Sequence, residues 1–285
     1  MKCTLCPRNC GTVRTEASGG GVCGMPSRPV VAKAMLHQWE EPCLTGDYGA
    51  GAVFFSGCAL GCVFCQNEPI SHQGWGRGVS VEELRGIFRD LVRQGAACLD
   101  LVTASHFTPA VVEALDGERW TVPVVWNTGS YEKPETLKLL DGRVQVYLPD
   151  LKYALPDPAA RYSRAADYFG WAAPAIREMF RQTGPYRMEG RQLVSGVLIR
   201  HLMLPGEMEN TRRVIDWVSE TFRPGDVLFS LMRQYTPQPG ASGNLRRRVT
   251  GAEYRAAAAY LRNCGITDGY FQDPDSAESV YTPDF

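Results

Sequence analysis

The chain carries three closely spaced cysteines in the stretch Gly57-Cys58-Ala59-Leu60-Gly61-Cys62-Val63-Phe64-Cys65-Gln66-Asn67, directly after the apolar run Ala52 to Phe55. The run has the length and composition of a buried strand, so the spacing Cys-x3-Cys-x2-Cys places three thiols in one loop at a strand's end. Cysteine thiolates are the usual protein ligands of a 4Fe-4S cluster, and three of them leave one iron open. Because a purely structural cluster would be closed, the loop predicts a catalytic site.

An open iron favours a small bidentate ligand. The amino and carboxylate groups of the methionine part of S-adenosylmethionine have that shape, so this molecule is the candidate cofactor. Gly57 and Gly61 remove side-chain bulk around an object larger than one metal ion, and Phe64 is expected to shield it from water. The alternatives for the triad are a zinc site completed by a distant fourth ligand or three unrelated thiols.

The pattern beyond residue 50 predicts the fold class. Short β-branched and apolar runs alternate with segments of helical period, as in repeated βα units around a parallel sheet. Helix starts are marked by Ser80 with Glu83, by Thr108 before Pro109, and by Thr250 with Glu253. The candidate strands are 52–55, 98–103, 122–126, 144–148, 197–202 and 227–232. The prediction is an α/β fold, a partial (β/α)6 barrel of the TIM type.

Polar residues recur just after the candidate strands, where parallel βα folds carry their reactive face. Residues at several strand ends would therefore converge on the mouth that also holds the triad, although they lie far apart in sequence. Arg200 and His201 are neighbours on one strand, so their side chains are expected to point to opposite faces. The candidates are Thr103 to His106, Asn127 to Ser130, Asp150, Lys152, Arg200, His201, Gln234 and Tyr235.

A second group of cysteines, the front thiols, precedes the triad with the spacing Cys-x2-Cys-x3-Cys-x12-Cys: Cys3, Cys6, Cys10 and Cys23. Four thiolates make a closed site, which fits either tetrahedral zinc or an auxiliary iron–sulfur cluster; separate free thiols are the remaining alternative. Cys43 is a candidate substitute ligand or a thiol that lines the site. Residues 1–49 are therefore predicted to form a small cysteine-rich, metal-binding appendage, and residues 50–285 the barrel domain.

Composition limits the partners and the compartment. The chain has 285 residues, a formal net charge of −1 and 44% hydrophobic residues, which is typical of a folded globular protein and offers no positive field for nucleic acid. No apolar run reaches membrane-spanning length, and no signal peptide is recognised, so a cytoplasmic, membrane-free protein is expected. Ten cysteines then favour metal or redox chemistry over disulfides. The tail after Gln272 is predicted to be loop.

Three stretches together carry a family resemblance. The triad, with an aromatic residue before its last cysteine, resembles the radical S-adenosylmethionine superfamily. Cys65-Gln66-Asn67, Tyr147-Leu148-Pro149-Asp150-Leu151-Lys152 and Ile199-Arg200-His201-Leu202-Met203-Leu204-Pro205-Gly206 resemble its pyruvate formate-lyase-activating enzyme branch. The similarity covers residues 52–240 and is greatest to activating-enzyme-like proteins, whose substrates are mostly unassigned. Activating enzymes with extra clusters place those cysteines after the triad, whereas here they precede it.

The resemblance implies roles for the strand-end residues. Asp150 and Lys152 match an Asp-x-Lys motif beside the cofactor, Arg200 matches a residue near the methionyl carboxylate, and Asn127 matches an asparagine near the cofactor. The plainer alternatives are a local ion pair, a charge at a strand edge and a turn cap. Where family members often carry Gly-Gly-Glu to receive the methionyl amine, this chain has Thr103-Ala104-Ser105-His106. The candidate acceptor is then the Thr103 or Ser105 side chain, or a backbone carbonyl.

The resemblance also implies an activity. A flavodoxin- or ferredoxin-type donor would supply one electron, S-adenosylmethionine would be cleaved to methionine and a 5′-deoxyadenosyl radical, and this radical would abstract hydrogen from a substrate. The first hypothesis is an activase that creates a glycyl radical on another protein. The rival is radical modification of a peptide or small metabolite. A third is a non-catalytic iron–sulfur or zinc protein.

Overall fold

The computed structural model describes residues 2–272 and Pro283. Its core is a mostly parallel sheet with helices packed against it, which confirms the predicted α/β class. The strands are β1 Val30–His37, β2 Ala50–Phe55, β3 Arg77–Gly78, β4 Leu99–Val102, β5 Val124–Thr128, β6 Val146–Pro149, β7 Arg187–Glu189, β8 Gln192–Leu202, β9 Leu228–Met232 and β10 Gly269–Phe271. All six candidate strands are present, with ends that coincide with the prediction or differ from it by up to five residues.

The helices follow the strands in βα order. They are α1 Pro42–Thr45, α2 Glu68–Ser71, α3 Val81–Arg93, α4 Thr108–Asp116, α5 Pro134–Leu137, α6 Pro156–Ser163, α7 Tyr168–Thr183, α8 Met208–Thr221 and α9 Gly251–Asn263. None of the helices described for residues 2–272 and 283 combines the length and apolar character needed to cross a bilayer.

The strand order is β10-β9-β8-β6-β5-β4-β2-β1-β3, with β7 paired to β8. Strands β2, β4, β5, β6, β8, β9 and β10 run parallel, whereas β1, β3 and β7 pair antiparallel with their neighbours. Within the described residues the two outer strands, β3 and β10, do not pair with each other, so the sheet stays open. This is the partial barrel that the sequence predicts.

Local signals account for most helix starts. Ser80 and Glu83 form the predicted capping box, since the Glu83 N–H donates to Ser80 Oγ over 3.1 Å and the Ser80 N–H to Glu83 Oε2 over 2.7 Å. Thr250 forms the same box with Glu253. The helix α4 begins at Thr108 as predicted. The Thr108 hydroxyl, however, donates to the Ser105 carbonyl over 2.7 Å and does not cap the N-terminus of the helix. Pro at the start of α4 is sufficient there.

The first 49 residues contribute directly to the sheet. Strand β1 pairs antiparallel with β2 along His37↔Ala50 to Val31↔Phe55, so this part of the chain is hydrogen-bonded to the barrel. The division into an appendage of residues 1–49 and a barrel of residues 50–285 remains a prediction. The predicted loop after Gln272 lies outside the described residues, Pro283 excepted.

Candidate active site

A cavity of about 270 Å³ lies at the carboxyl ends of the parallel strands. The structure brings together there the triad and every strand-end residue proposed to contact a cofactor: Cys58, Cys62, Cys65, Thr103, Asn127, Asp150, Lys152 and Arg200. A second cavity, of about 780 Å³, lies at the opposite ends of the strands near Trp120 and Gln145, and none of the predicted residues lines it. The predicted site residues therefore meet at the cavity near the carboxyl ends of the strands.

The triad loop leaves β2 and turns at two glycines with positive φ, Gly57 at +81° and Gly61 at +60°. Two serine hydroxyls reach its sulfurs from other elements. Ser163 Oγ donates to Cys62 Sγ over 2.9 Å, and Ser71 Oγ donates to Cys65 Sγ over 3.2 Å. Hydrogen bonds to sulfur stabilise thiolates and tune the redox potential of iron–sulfur centres, so both serines fit a cluster site.

Burial raises the pKa of the Cys62 thiol to about 12 and also raises the pKa of Cys65. The nearby Lys152 charge acts in the opposite direction on both thiols and limits the rise. A bound metal cluster supplies positive charge next to buried thiols, and this charge favours loss of their protons to give thiolate ligands. The donor set therefore fits an iron–sulfur cluster.

Phe64 lies within the triad and is almost completely buried. Its ring packs edge-on against Tyr162 and Tyr235, with centroids 6.3 and 6.4 Å away. The two tyrosines come from α6 and from the segment after β9, so distant parts of the chain close this side of the loop. The position agrees with the expected shielding of the triad from water.

Arg200 lies at the centre of the polar floor of the cavity, with its side chain 13% exposed. Its Nε donates to Asp150 Oδ1 over 2.7 Å, its Nη1 to Glu40 Oε1 over 2.8 Å, and its Nη2 to Asn127 Oδ1 over 2.7 Å. The guanidinium thus joins the ends of β5, β6 and β8 with the loop after β1. Its planar fork of donors suits such an arrangement better than a lysine would.

Lys152 completes the floor by donating to Asp150 Oδ2 over 2.7 Å. Burial by itself would raise the pKa of Asp150, but Arg200 and then Lys152 outweigh it and hold that pKa below its usual value. Burial would lower the pKa of Lys152, but Asp150 and then Cys62 outweigh it and raise that pKa. Asp150 and Lys152 therefore stay ionised inside the protein, next to the triad.

The sequence analysis did not identify three carboxyl groups near the cavity: Glu40, which lines it, and Glu41 and Asp100, which are buried beside it. Glu40 accepts from Arg200 and from Asn127 Nδ2, the latter over 3.1 Å, and Glu41 is buried beside it. Asp100 is fully buried, and within the described residues its Oδ1 has no hydrogen-bond partner. Burial and then Glu40 raise the pKa of Asp100 well above its usual value. A pair of acidic residues after a strand was the available signal for Glu40 and Glu41; Asp100, inside β4, gave a weaker one.

The buried carboxyl group of Glu41 makes the stability of the protein depend on pH. Burial raises its pKa from 4.5 to about 7, and Arg200 limits the rise. The folded protein then holds this proton more tightly than the unfolded chain does, so stability falls as pH increases from 4.5 to about 7. As the pH increases from 4.5 to 8, we expect the unfolding free energy of Glu41→Gln to rise by up to about 3 kcal/mol relative to that of wild type. Each pKa unit corresponds to about 1.4 kcal/mol.

The measurement is urea unfolding of both proteins at pH 4.5 and pH 8. Glu135→Gln, at an exposed helix position, serves as the control and should show the same difference from wild type at both pH values. A Glu41→Gln difference that does not change with pH would contradict this assignment.

Both histidines near the strand ends are structural. His106 Nε2 donates to the Ser56 carbonyl over 2.7 Å, and His201 Nδ1 donates to the Leu151 carbonyl over 2.7 Å. Burial lowers the pKa of each to about 4, so both are neutral near pH 7. His201 points away from the cavity that Arg200 lines, as the alternation along a strand requires.

Thr103 and Ser105, the two candidate amine acceptors, differ in position. Thr103 lines the cavity. The Ser105 hydroxyl instead donates to the buried Glu132 over 2.8 Å, alongside the Trp126 indole, so it is already engaged elsewhere. Of the two, Thr103 remains the candidate.

Thr103 also has a φ of +62°, a left-handed conformation that β-branched residues rarely adopt. Its N–H donates to the Asn127 carbonyl over 2.8 Å, which holds it there. Thr103→Asn is expected to increase the unfolding free energy by about 1 kcal/mol, because asparagine tolerates this conformation. Chemical denaturation measures it. Thr103→Val, equally β-branched, is the matched control, and an equal response of the two variants would contradict the strain.

The front thiols lie outside the cavity, against the triad loop. Gly57 shows how close they come: a side chain there would lie 2.8 Å from the Cys23 carbonyl and 2.3 Å from Met25 Cγ. All ten cysteines are free thiols. Within residues 2–272 and 283, no three His, Cys, Asp or Glu side chains converge closely enough to hold a single metal ion. Cys43 lies within α1, where it is buried in an apolar cluster that, among the described residues, includes none of the front thiols.

No family model matches the chain. An uncharacterized protein from Methanocaldococcus jannaschii is 26% identical over 268 residues, which is 90% of this chain and 72% of that protein.

Among solved structures, HydG, a maturase of the FeFe-hydrogenase, superposes with a TM-score of 0.53 at 14% identity, over 79% of this chain and 52% of HydG. SuiB from Streptococcus suis, solved with its precursor peptide SuiA, gives 0.50 at 11% identity, over 77% of this chain and 47% of SuiB. The chain thus spans about half the length of these proteins. At such identities the likeness concerns the fold alone, an open and mostly parallel α/β sheet.

Proposed function

We propose that this chain is a radical S-adenosylmethionine enzyme whose 4Fe-4S cluster is held by Cys58, Cys62 and Cys65. The observation that carries the proposal is the position of all three thiols on the wall of the cavity that Asp150, Lys152 and Arg200 also line. Bound there, the cluster and its cofactor would supply a 5′-deoxyadenosyl radical for hydrogen abstraction. A structural zinc site or a non-catalytic iron–sulfur site would not require a charged floor in the adjacent cavity.

The chain's own residues would bind and orient the cofactor. S-adenosylmethionine brings a sulfonium and an ammonium group, and Asp150 and Glu40 line the cavity with carboxylate oxygens that could accept from the ammonium group. Asp150 and Asn127 are proposed as direct contacts. Each nitrogen of Arg200 already donates to a protein group, so we propose that it acts chiefly by orienting these two side chains. Thr103 is proposed as the acceptor for the methionyl amine.

We propose a peptide or protein segment as the substrate, with glycyl-radical formation on another protein as the first candidate. Trp39 lines the cavity and is 57% exposed, which suits contact with a polypeptide at the rim. The fold is shared with SuiB, a protein solved with a precursor peptide. Modification of a small metabolite is the alternative. A cytoplasmic flavodoxin- or ferredoxin-type protein is proposed as the electron donor.

Anaerobic reconstitution tests the proposed function. The protein is loaded with iron and sulfide, given dithionite and S-adenosylmethionine, and assayed for 5′-deoxyadenosine by mass spectrometry. We expect cofactor cleavage together with the absorption of an iron–sulfur cluster. A protein that takes up the cluster but forms no 5′-deoxyadenosine, with or without added peptide, would sink the proposal.

A further inference from the structure

The front thiols Cys3, Cys6, Cys10 and Cys23 are gathered by local turns. The Cys3 N–H donates to the Thr12 carbonyl over 2.9 Å and the Gly11 N–H to the Cys3 carbonyl over 3.1 Å, which folds residues 3–12 back on themselves. Gly21, at φ +71°, lies so close to Cys10 that a Cβ there would be 2.5 Å from the sulfur. The glycine therefore allows the segment carrying Cys23 to approach Cys10.

Charge near these thiols also favours an anionic centre. Arg14 Nη1 lies 3.7 Å from Cys3 Sγ. Four thiolates together need a cation between them.

Arg8, in the segment that carries the front thiols, contacts the triad loop directly. Arg8, between Cys6 and Cys10, donates from Nε to the Ala59 carbonyl over 2.8 Å. It also donates to the carbonyls of Ser163 over 2.9 Å and Arg164 over 2.6 Å. Arg8 therefore ties the front segment to the triad loop and to the end of the helix whose Ser163 contacts Cys62.

We propose that the front thiols bind a metal ion or cluster, and that Arg8 couples the conformation of this metal-bound segment to that of the triad loop. The sulfurs as described do not converge on one ion, so binding requires rotation about their Cα–Cβ bonds. Zinc and an iron–sulfur cluster share the thiolate chemistry, and the experiment separates them. Metal binding does not depend on the proposed function, whereas the role of Arg8 rests on it.

The metal test uses the full chain with Cys58, Cys62 and Cys65 replaced by alanine, so that retained metal belongs to the front thiols. Zinc, iron and sulfide are quantified after anaerobic purification. We expect about one zinc per chain, or iron with matching sulfide. Metal no higher than in a buffer blank overturns the proposal, whether or not the wild-type protein cleaves S-adenosylmethionine.

A further substitution in that background locates the site. Cys10 is exposed, so Cys10→Ser should leave the fold intact by circular dichroism and remove the metal. Cys264→Ser, at a partly exposed cysteine after α9, is the matched control and should retain it. Full retention by the Cys10 variant also overturns the proposal.

Arg8 is tested as a positioning residue in the chain with its triad intact. We expect Arg8→Met to keep the front metal but to release iron from the triad to a chelator about tenfold faster, because charged hydrogen bonds to the loop are lost. Arg28→Met, in the same segment and paired with Glu16 at the surface, is the control. Equal release by the two variants overturns the role of Arg8.

Discussion

Cys62→Ala is expected to reduce 5′-deoxyadenosine formation to the level seen without enzyme. The thiol is one of only three available to the proposed cluster, it is buried, and Ser163 donates to its sulfur. A cluster that already leaves one iron open has no spare protein ligand, and alanine supplies none. The assay is anaerobic cofactor cleavage, with iron content measured on the same sample.

Two variants separate this effect from the general loss of a thiol. Cys10→Ala, among the front thiols, should keep at least part of the cleavage, and Cys264→Ala should keep all of it. The assignment of the triad fails if the Cys62 variant turns over S-adenosylmethionine at the wild-type rate.

Arg200→Met is expected to cause the largest loss of stability, about 3 to 5 kcal/mol, because it leaves buried carboxylates without their cation. Asp150 and Glu40 each accept a hydrogen bond from the guanidinium, and methionine keeps the length of the side chain without its charge. Such a loss is comparable to the whole stability of many domains. Urea unfolding of the metal-free proteins at one pH measures it.

Arg93→Met is the matched control, because Arg93 is 77% exposed and forms a surface ion pair with Asp90. Its effect should stay within about 0.5 kcal/mol. If Arg200→Met proves as mild as this control, the carboxyl groups of the floor are protonated or solvated, and the ionic network is wrong.

The charged floor bears on the choice of cofactor as well as on stability. Asp150 is held ionised by two cations, whereas burial favours the neutral form of Glu41 and Asp100. A positively charged ligand would shift these two groups towards ionisation, because their charges would then be compensated. Binding of S-adenosylmethionine should therefore release protons, which buffers of different ionisation enthalpy can reveal by calorimetry.

The triad and the strand-end residues could be predicted from the sequence alone. Both depend on local patterns: a fixed cysteine spacing after an apolar run, and polar residues where a strand of period two stops. Because parallel strands end at one edge of a sheet, such residues must meet, whatever the details of packing. The βα alternation likewise predicted the open barrel, and the two capping boxes predicted where α3 and α9 begin.

The hydrogen-bond partners of these residues could be identified only in the folded protein. Glu40 reaches Arg200 across 160 positions of sequence, and Arg8 reaches Ala59 across 51, and no local pattern encodes either contact. The tertiary structure also showed that Ser105 turns to Glu132 and that His201 faces away from the cavity. The physical reason is that spacing and periodicity fix the conformation of neighbouring residues, whereas the pairing of buried charges depends on which strands and loops the folded core brings together.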